Sequence, residues 1–339
     1  MSSLSHPDPI FILGIMPRSG TNFLWDLLRL HPQCAPGRSP IAEDFFLEHS
    51  DHLVEYVNKV HAAWDPMWGK FEPHIEDKLA AALGEGLVSF LWVERDRRLL
   101  AKSPSVRNLH RFFTFWPEAR LVILIRDGRS VVESCMSTFG WEFDIAAHWW
   151  AEAADEIVQF QRAYEPPGTR YCIVRYEDLV DDVRGTLTPL LEFLDLSSEE
   201  FDYDAAASLP LRGSSRYFGR DRESVHWEPV SKEPNFEFKQ RWQGWDERMH
   251  RRFEWIAGPQ LRALGYASAV SPETGLVPKV ANSAADVRWY IKNRVRPRLA
   301  AATRPIRLQV SRRFSSARAG KSPDRRGNGH STDDQGAGS

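Results

Sequence analysis

Three times along this chain a short apolar run stops at a turn-forming cluster and passes into a helix, and that repetition restricts the fold more than any other feature. Ile10-Phe11-Ile12-Leu13-Gly14 ends at Pro17-Arg18-Ser19-Gly20-Thr21-Asn22. Leu24, Leu27 and Leu28, with Trp25 beside them, then recur at helical spacing until His31-Pro32, where the proline disfavours further helix. Leu99-Leu100-Ala101 leads to Lys102-Ser103-Pro104 and a helix through Leu109, Phe112 and Phe113. Arg120-Leu121-Val122-Ile123-Leu124-Ile125 turns at Arg126-Asp127-Gly128-Arg129 into a helix starting near Ser130. Runs without polar alternation suit strands buried on both faces, which is the habit of parallel sheets. A fourth strand at Arg170-Tyr171-Cys172-Ile173-Val174 and a helix over residues 187–194 continue the pattern. The expectation is an α/β fold of three layers, a central parallel sheet flanked by helices.

The remaining blocks read more coarsely. Residues 48–98 and 140–165 have helical patterning, residues 204–240 mix Gly, Ser, Arg and Pro as a long ordered loop would, and residues 242–264 close the unit as one or two helices. The domain is expected to span residues 1–267, with residues 268–339 a basic C-terminal extension, partly helical and then disordered, the last part because it has too few apolar groups to fold alone. From Asn282 onward there are 13 Lys/Arg against 4 Asp/Glu, so the net charge of -2 conceals about -11 on residues 1–281. An acidic body argues against nucleic acid as a partner, because that affinity comes chiefly from neutralising phosphates. Val287, Ile291, Val295 and Leu299 recur every four residues beside Arg288, Lys292 and Arg296, a basic amphipathic helix that Pro297 kinks or ends. It suits docking on the acidic body, peripheral contact with a membrane, or contact with another protein. No run approaches the roughly 18 apolar residues of a membrane span, and residues 1–9 lack the regions of a signal peptide, so a cytoplasmic protein is expected. Cys34, Cys135 and Cys172 are odd in number and unclustered, which favours buried thiols over disulfides or zinc.

A strand, a tight glycine-containing loop and a helix present backbone N–H groups and a positive dipole end to an anion. Arg18 adds a full charge to that cradle, Ser19, Thr21 and Asn22 add donors, and Gly20 lets the backbone approach closely, so the fold is of P-loop type. A nucleoside triphosphatase would need a lysine before Thr21 and a magnesium-binding carboxylate at a later strand end. Here no lysine intervenes, and the strand over residues 120–125 ends in Arg126. Arg18, Lys102 and Arg126 at three successive strand ends suit a highly anionic ligand and no metal.

The loop PRSGTN, the segment LIRDGRSVVES and the segment VRYEDLV resemble, in order and spacing, the sulfotransferases that use 3′-phosphoadenosine 5′-phosphosulfate (PAPS). The likeness extends over residues 9–267. It is most similar to the branch of tyrosylprotein sulfotransferases and their bacterial relatives, through the pattern from Ser224 and Pro229-Val230 to Trp242 and Leu264-Gly265-Tyr266. The resemblance implies transfer of a sulfuryl group from PAPS to an acceptor hydroxyl by in-line displacement. By it Arg18, Ser19, Gly20, Thr21 and Asn22 hold the 5′-phosphosulfate, Arg126 and Ser134 the 3′-phosphate, and Tyr176 lies near the adenine. Ser224 and Lys239, fifteen apart, contact the donor, with Arg241 an alternative to Lys239. Lys102 stabilises charge on the leaving phosphate or the sulfuryl group. Glu43 is the carboxylate general base, although gap-free alignment puts Ser39 at that place and Glu43 fits only with about four extra residues; Asp44, Glu72, His61 and His74 are reserves. A second departure is Thr138, where that branch has an arginine. Arg212, Ser214, Ser215 and Arg216 are candidates to close over the donor.

The acceptor stays open at this stage between carbohydrate, lipid, phenol or peptide tyrosine, and another small metabolite. Thirteen tryptophans are many for the length, and Trp64, Trp68, Trp141, Trp149 and Trp150 lie in the segments between the motifs, where an acceptor cleft is expected. A homodimer is a further expectation. Two other functions compete: a nucleotide-binding protein of the same fold without turnover, and a P-loop kinase.

Overall fold

A computed structural model of the chain describes residues 8–38, 43–64, 67, 72–164, 169–209, 241–272 and 275–295. Five strands form one sheet: β1 (Ile10–Gly14), β2 (Cys34–Pro36), β3 (Arg98–Ser103), β4 (Arg120–Ile125) and β5 (Tyr171–Arg175). Their order is β2-β3-β1-β4-β5, and every pairing is parallel. The expected α/β fold with a central parallel sheet is therefore present. β2 adds an edge strand that the apolar pattern does not announce, since Cys34-Ala35-Pro36 is short and contains a proline, which edge strands tolerate.

Alternation along the strands builds two cores. Phe11, Leu13, Leu99, Ala101, Leu121, Ile123 and Ile125 face one side, where they meet residues of α2 (Ser50–Ala63), α3 (Ile75–Leu91), α4 (Phe112–Phe115), α5 (Gly128–Phe139), α6 (Phe143–Ala163) and α10 (Glu247–Ala263). Ile10, Ile12, Leu100, Val122 and Leu124 face the other, against α1 (Thr21–Leu28), α7 (Tyr176–Asp181), α8 (Val183–Phe193) and α9 (Tyr203–Ser208). α1 belongs to the connection from β1 to β2, which runs along the sheet in the direction opposite to the later crossovers. It lies on the face opposite to α4, α5 and α6, as a single crossover hand requires. Chain direction reverses about β1, so the carboxyl ends of β1, β3 and β4 open onto a topological switch point, where sheets of this kind bind ligands.

Two glycines of α3 show how tightly this packing is set. Gly84 is buried against the backbone of Phe115, its carbonyl accepts from the indole N–H of Trp116 (3.0 Å), and an added Cβ would overlap the Phe115 carbonyl. Gly86, two residues on, is exposed with nothing within 4 Å of a Cβ.

The chain divides after Gly275 into two units. The described part of the second is α11 (Leu276–Tyr290), running into a π-helical turn at Ile291–Val295. The sequence pattern places a helix here but starts it about ten residues late. The reading of residues 204–240 as loop is corrected at its start by α9, and most of the stretch lies outside the described residues, as do residues 296–339. Among the described residues no helix is long and apolar enough to cross a membrane.

Substituting Gly84→Ala should destabilise the protein by about 1–3 kcal/mol or more, because backbone cannot move aside as a side chain can. Gly86→Ala should be neutral or stabilising by up to about 1 kcal/mol through helix propensity. Denaturant unfolding of the two variants checks this; equal effects would mean that α3 is not seated on Phe115 as described.

Candidate active site

The loop after β1 is shaped by two residues with positive φ. Arg18 has φ 77° and Gly20 has φ 99°, and the Ser19 N–H donates to the Met16 carbonyl (3.2 Å). Arg18 occupies a left-handed conformation that costs a non-glycine residue energy, so other contacts must hold it there. Arg126 does so from the end of β4, donating from its guanidinium to the Arg18 carbonyl (2.8 Å). The Arg18 Nε in turn donates to Ser134 Oγ on α5 (3.2 Å), and the Cys135 thiol lies 3.6 Å from the Pro17 carbonyl. Three residues singled out from the sequence, Arg18, Arg126 and Ser134, thus form one connected bracket.

Tyr176, the first residue of α7, completes it. Its ring lies against Gly20, where a Cβ would overlap it, and the Arg126 guanidinium sits 4.4 Å from its centroid. Gly20 therefore serves both the positive φ and this close approach. No side chain caps α1 at Gly20, which leaves the positive end of that helix for an anion.

The turn leading into α5 is fixed with comparable care. Asp127 accepts from the Arg129 N–H (2.9 Å), from its Nε (2.9 Å) and from a terminal nitrogen (2.6 Å), capping α5. Glu177 accepts from the Asp127 N–H (3.0 Å) and from the Tyr266 hydroxyl (3.0 Å). The VRYEDLV segment thereby supplies both the ring on Gly20 and the carboxylate that locks the start of α5. Sequence reading picks out Tyr176 from that segment and misses Glu177, whose place two residues after Arg175 was the available signal.

On the other side of the loop stands Lys102, from the end of β3 and only 2% exposed. Its ammonium donates to Asn22 Oδ1 and lies 3.4 Å from Glu43 Oε1, with the Trp25 ring centroid 5.7 Å away. Glu43 is largely buried too. A cleft of about 240 Å³ is lined by Arg18, Thr21, Asn22, Glu43, Arg126 and Tyr176 among others, with Lys102 behind Asn22 and Glu43 rather than on its wall. Phe23, Phe45, Pro104 and Phe139 give it apolar walls. Ser19 has no exposure and points into the loop's interior, and Ser134 reaches the site through Arg18.

Ser224 and Lys239 lie outside the described residues, together with Ser39, Arg212, Ser214, Ser215 and Arg216. Of the reserves, His61 pairs with Glu76 (3.9 Å), His74 with Asp77 (3.6 Å) and Glu72 with Lys78, and none of these lines the cleft. Thr138 is buried in α5. Trp150 is core, Trp64 is half-buried, and Trp68 lies outside the described residues. Trp141 and Trp149 are different: Phe139 on the cleft wall contacts Trp141 (5.2 Å between centroids), which contacts Trp149 (4.9 Å), and the outer two rings are about 40% exposed. The thiols of Cys34 and Cys135 are buried and pushed up to about 11 and about 12 by that burial; Cys172 is half-buried and also pushed up. Among the described residues no group of three His, Cys, Asp or Glu side chains is placed to hold a metal ion.

Asp44 sets the position of Glu43. Its N–H donates to the Lys102 carbonyl (3.0 Å), and its Oδ1 accepts from the Phe46 N–H (2.9 Å), a turn in which Phe45 takes φ 55°. Oδ2 is buried without a partner among the described residues. Burial pushes the carboxyl up to about 6, against the pull of the Phe46 and Asp44 N–H groups; Glu43 adds to the rise and Lys102 opposes it. Between the ordinary 3.8 and about 6 the folded protein keeps a proton that the unfolded chain has released, so this group's contribution to stability falls as pH rises through that window. Asn at position 44 can accept the same hydrogen bond without ionising. The stability of Asp44→Asn relative to the parent should therefore rise between pH 4 and pH 7, by up to about 3 kcal/mol. Urea unfolding of both proteins across that range tests it, and a pH-independent difference would show that Asp44 is not penalised by burial.

Over 308 residues the chain is 25% identical to protein-tyrosine sulfotransferase A of Caenorhabditis elegans, covering 84% of this chain and 76% of that protein. The sulfotransferase domain of the Synechococcus PCC 7002 olefin synthase superposes with a TM-score of 0.49 at 21% identity, over 78% of this chain and 98% of the domain. A mouse sulfotransferase, SULT7A1, solved in complex with PAP, superposes with a TM-score of 0.40 at 11% identity, over 76% and 84% of the two chains. Residues 9–200 match the sulfotransferase family as a whole, from the start of β1 past the end of α8. A match over more than half of its length, in a range that takes in the loop, strand-end and VRYEDLV segments, makes this protein a member of the sulfotransferase family.

Proposed function

We propose that this sulfotransferase takes its sulfuryl group from PAPS and passes it in line to an acceptor hydroxyl, with Glu43 removing the acceptor's proton. The observation that carries the reading is the Lys102 ammonium, which contacts both Asn22 and Glu43, two residues that line the one cleft. PAPS would bring a phosphosulfate, a second phosphate and an adenine, and the residues present fit such a donor. Arg18 and Arg126 supply fixed positive charge, the uncapped start of α1 supplies a dipole end, and Gly20 leaves the backbone open. Tyr176 offers an aromatic face beside Arg126.

Sulfuryl transfer, like phosphoryl transfer, depends on alignment and on charge stabilisation where negative charge develops. Lys102 is suited to that work because burial strengthens its electrostatic effect. Glu43 must accept a proton, and the turn built by Asp44 aims it at the cleft. The roles of Ser19, Thr21, Ser134, Ser224 and Lys239 in donor binding follow the family resemblance. A cytoplasmic location is part of the same proposal.

Peptide tyrosine is the acceptor favoured by a specific observation, the 25% identity over most of the chain to a protein-tyrosine sulfotransferase. The ring path Phe139–Trp141–Trp149 would offer a phenol or a sugar ring a stacking surface leading to Glu43.

Adenosine 3′,5′-bisphosphate should raise the melting temperature without magnesium. Arg18→Ala and Arg126→Ala should each weaken its binding about 10–100-fold. Glu43→Gln should keep donor binding while transfer drops about 100-fold or more. Calorimetric titration and a labelled-PAPS transfer assay measure these; loss of nucleotide binding in Glu43→Gln would place that residue on the donor side instead. Incubating labelled PAPS with tyrosine peptides, glycans and phenols, followed by mass spectrometry, should add one sulfate to one class, and labelling only of non-tyrosine acceptors would remove the peptide reading.

A further inference from the structure

The second unit carries a feature that sulfuryl transfer does not use. On α11 five large apolar side chains are exposed: Leu276 is 78% exposed, Val277 80%, Val280 62%, Val287 59% and Tyr290 52%. At 3.6 residues per turn these five positions fall within an arc of roughly 140°. Ser283 and Ala284, also exposed, fill the same arc with small side chains, and Ile291, 45% exposed, prolongs it into the π-helical turn. Trp289 lies outside the arc and is buried. A continuous apolar stripe turned outward on one helix is unfavourable in water and calls for something to cover it.

Charge identifies the cover. Within residues 276–295, Lys279, Arg288, Lys292 and Arg294 stand against Asp286 alone, and residues 296–321 add eight further Lys/Arg with no Asp or Glu. Residues 1–275 sum to -12. An apolar stripe of Leu, Val and Tyr flanked by cations, followed by a strongly basic stretch, is complementary to an anionic lipid surface: the stripe enters the acyl boundary and the cations meet the headgroups. The acidic catalytic unit would be repelled by the same surface, so attachment would run through this segment only.

We propose that α11, with the basic chain following it, docks the enzyme on anionic membranes, with Leu276, Val277, Val280, Val287 and Tyr290 in the interface. This proposal stands whether or not the donor is PAPS.

The test is sedimentation of the full chain with vesicles of phosphatidylcholine, alone or with about 30% phosphatidylserine. Binding should be at least tenfold stronger with the anionic lipid and should fall at least tenfold at high salt. Val280→Asp/Val287→Asp and Lys279→Gln/Arg288→Gln/Lys292→Gln should each bind at least tenfold more weakly, with the parent's thermal unfolding unchanged because every altered side chain is exposed. Parent protein left in the supernatant, or binding equal on both vesicle types, overturns the proposal. A dimer that Val280→Asp/Val287→Asp dissociates, with no lipid binding, would assign the stripe to a second copy of the chain.

Discussion

A buried ammonium dictates much of this site. Lys102 cannot be left without acceptors at 2% exposure, and its acceptors include two from separate stretches of chain, Asn22 at the start of α1 and Glu43 in the segment before α2. Glu43 belongs to no helix or strand, so the cation at the end of β3 is what relates it to the start of α1. The Lys102 carbonyl repeats the tie through the Asp44 N–H. Removing the charge would leave a carboxylate and an amide oxygen converging on nothing, and the two walls of the cleft would lose their common reference.

On the opposite side the same part is played by a cation and a ring. Arg126 holds the Arg18 carbonyl while its guanidinium rests on Tyr176, and Tyr176 fills the space that Gly20 leaves. Each contact is modest alone, about 1–3 kcal/mol. Together they keep Arg18 in a left-handed conformation that its side chain would not choose. The loop's chemistry therefore depends on strand ends distant in sequence, which is the usual advantage of a switch point in a parallel sheet.

Much of this was legible in the sequence because buried parallel strands write continuous apolar runs, as at residues 10–14 and 120–125, and because turn clusters mark where those runs stop. The strand-end cations followed directly. What escaped had no such signature. Cys34-Ala35-Pro36 is too short and too mixed to read as a strand. Asp44 looks like any loop carboxylate until its burial and its bonds to Phe46 and Lys102 are known. Among the tryptophans, adjacent residues differ in fate, Trp150 fully buried and Trp149 exposed, because one turn of α6 exposes one face and buries the next.

The hydrogen bond from Tyr266 to Glu177 has a consequence for how the protein is made. Glu177 locks the start of α5, and Tyr266 lies 252 residues after the end of β1. During synthesis the anion loop emerges first, at a few residues per second its last tether emerges many seconds later, and in between the strand ends carrying Arg18, Lys102 and Arg126 are a cluster of like charges without their full framework. An anion that binds the finished cleft but not the unfinished chain stabilises the folded state by mass action, so filling the site and completing the fold favour each other.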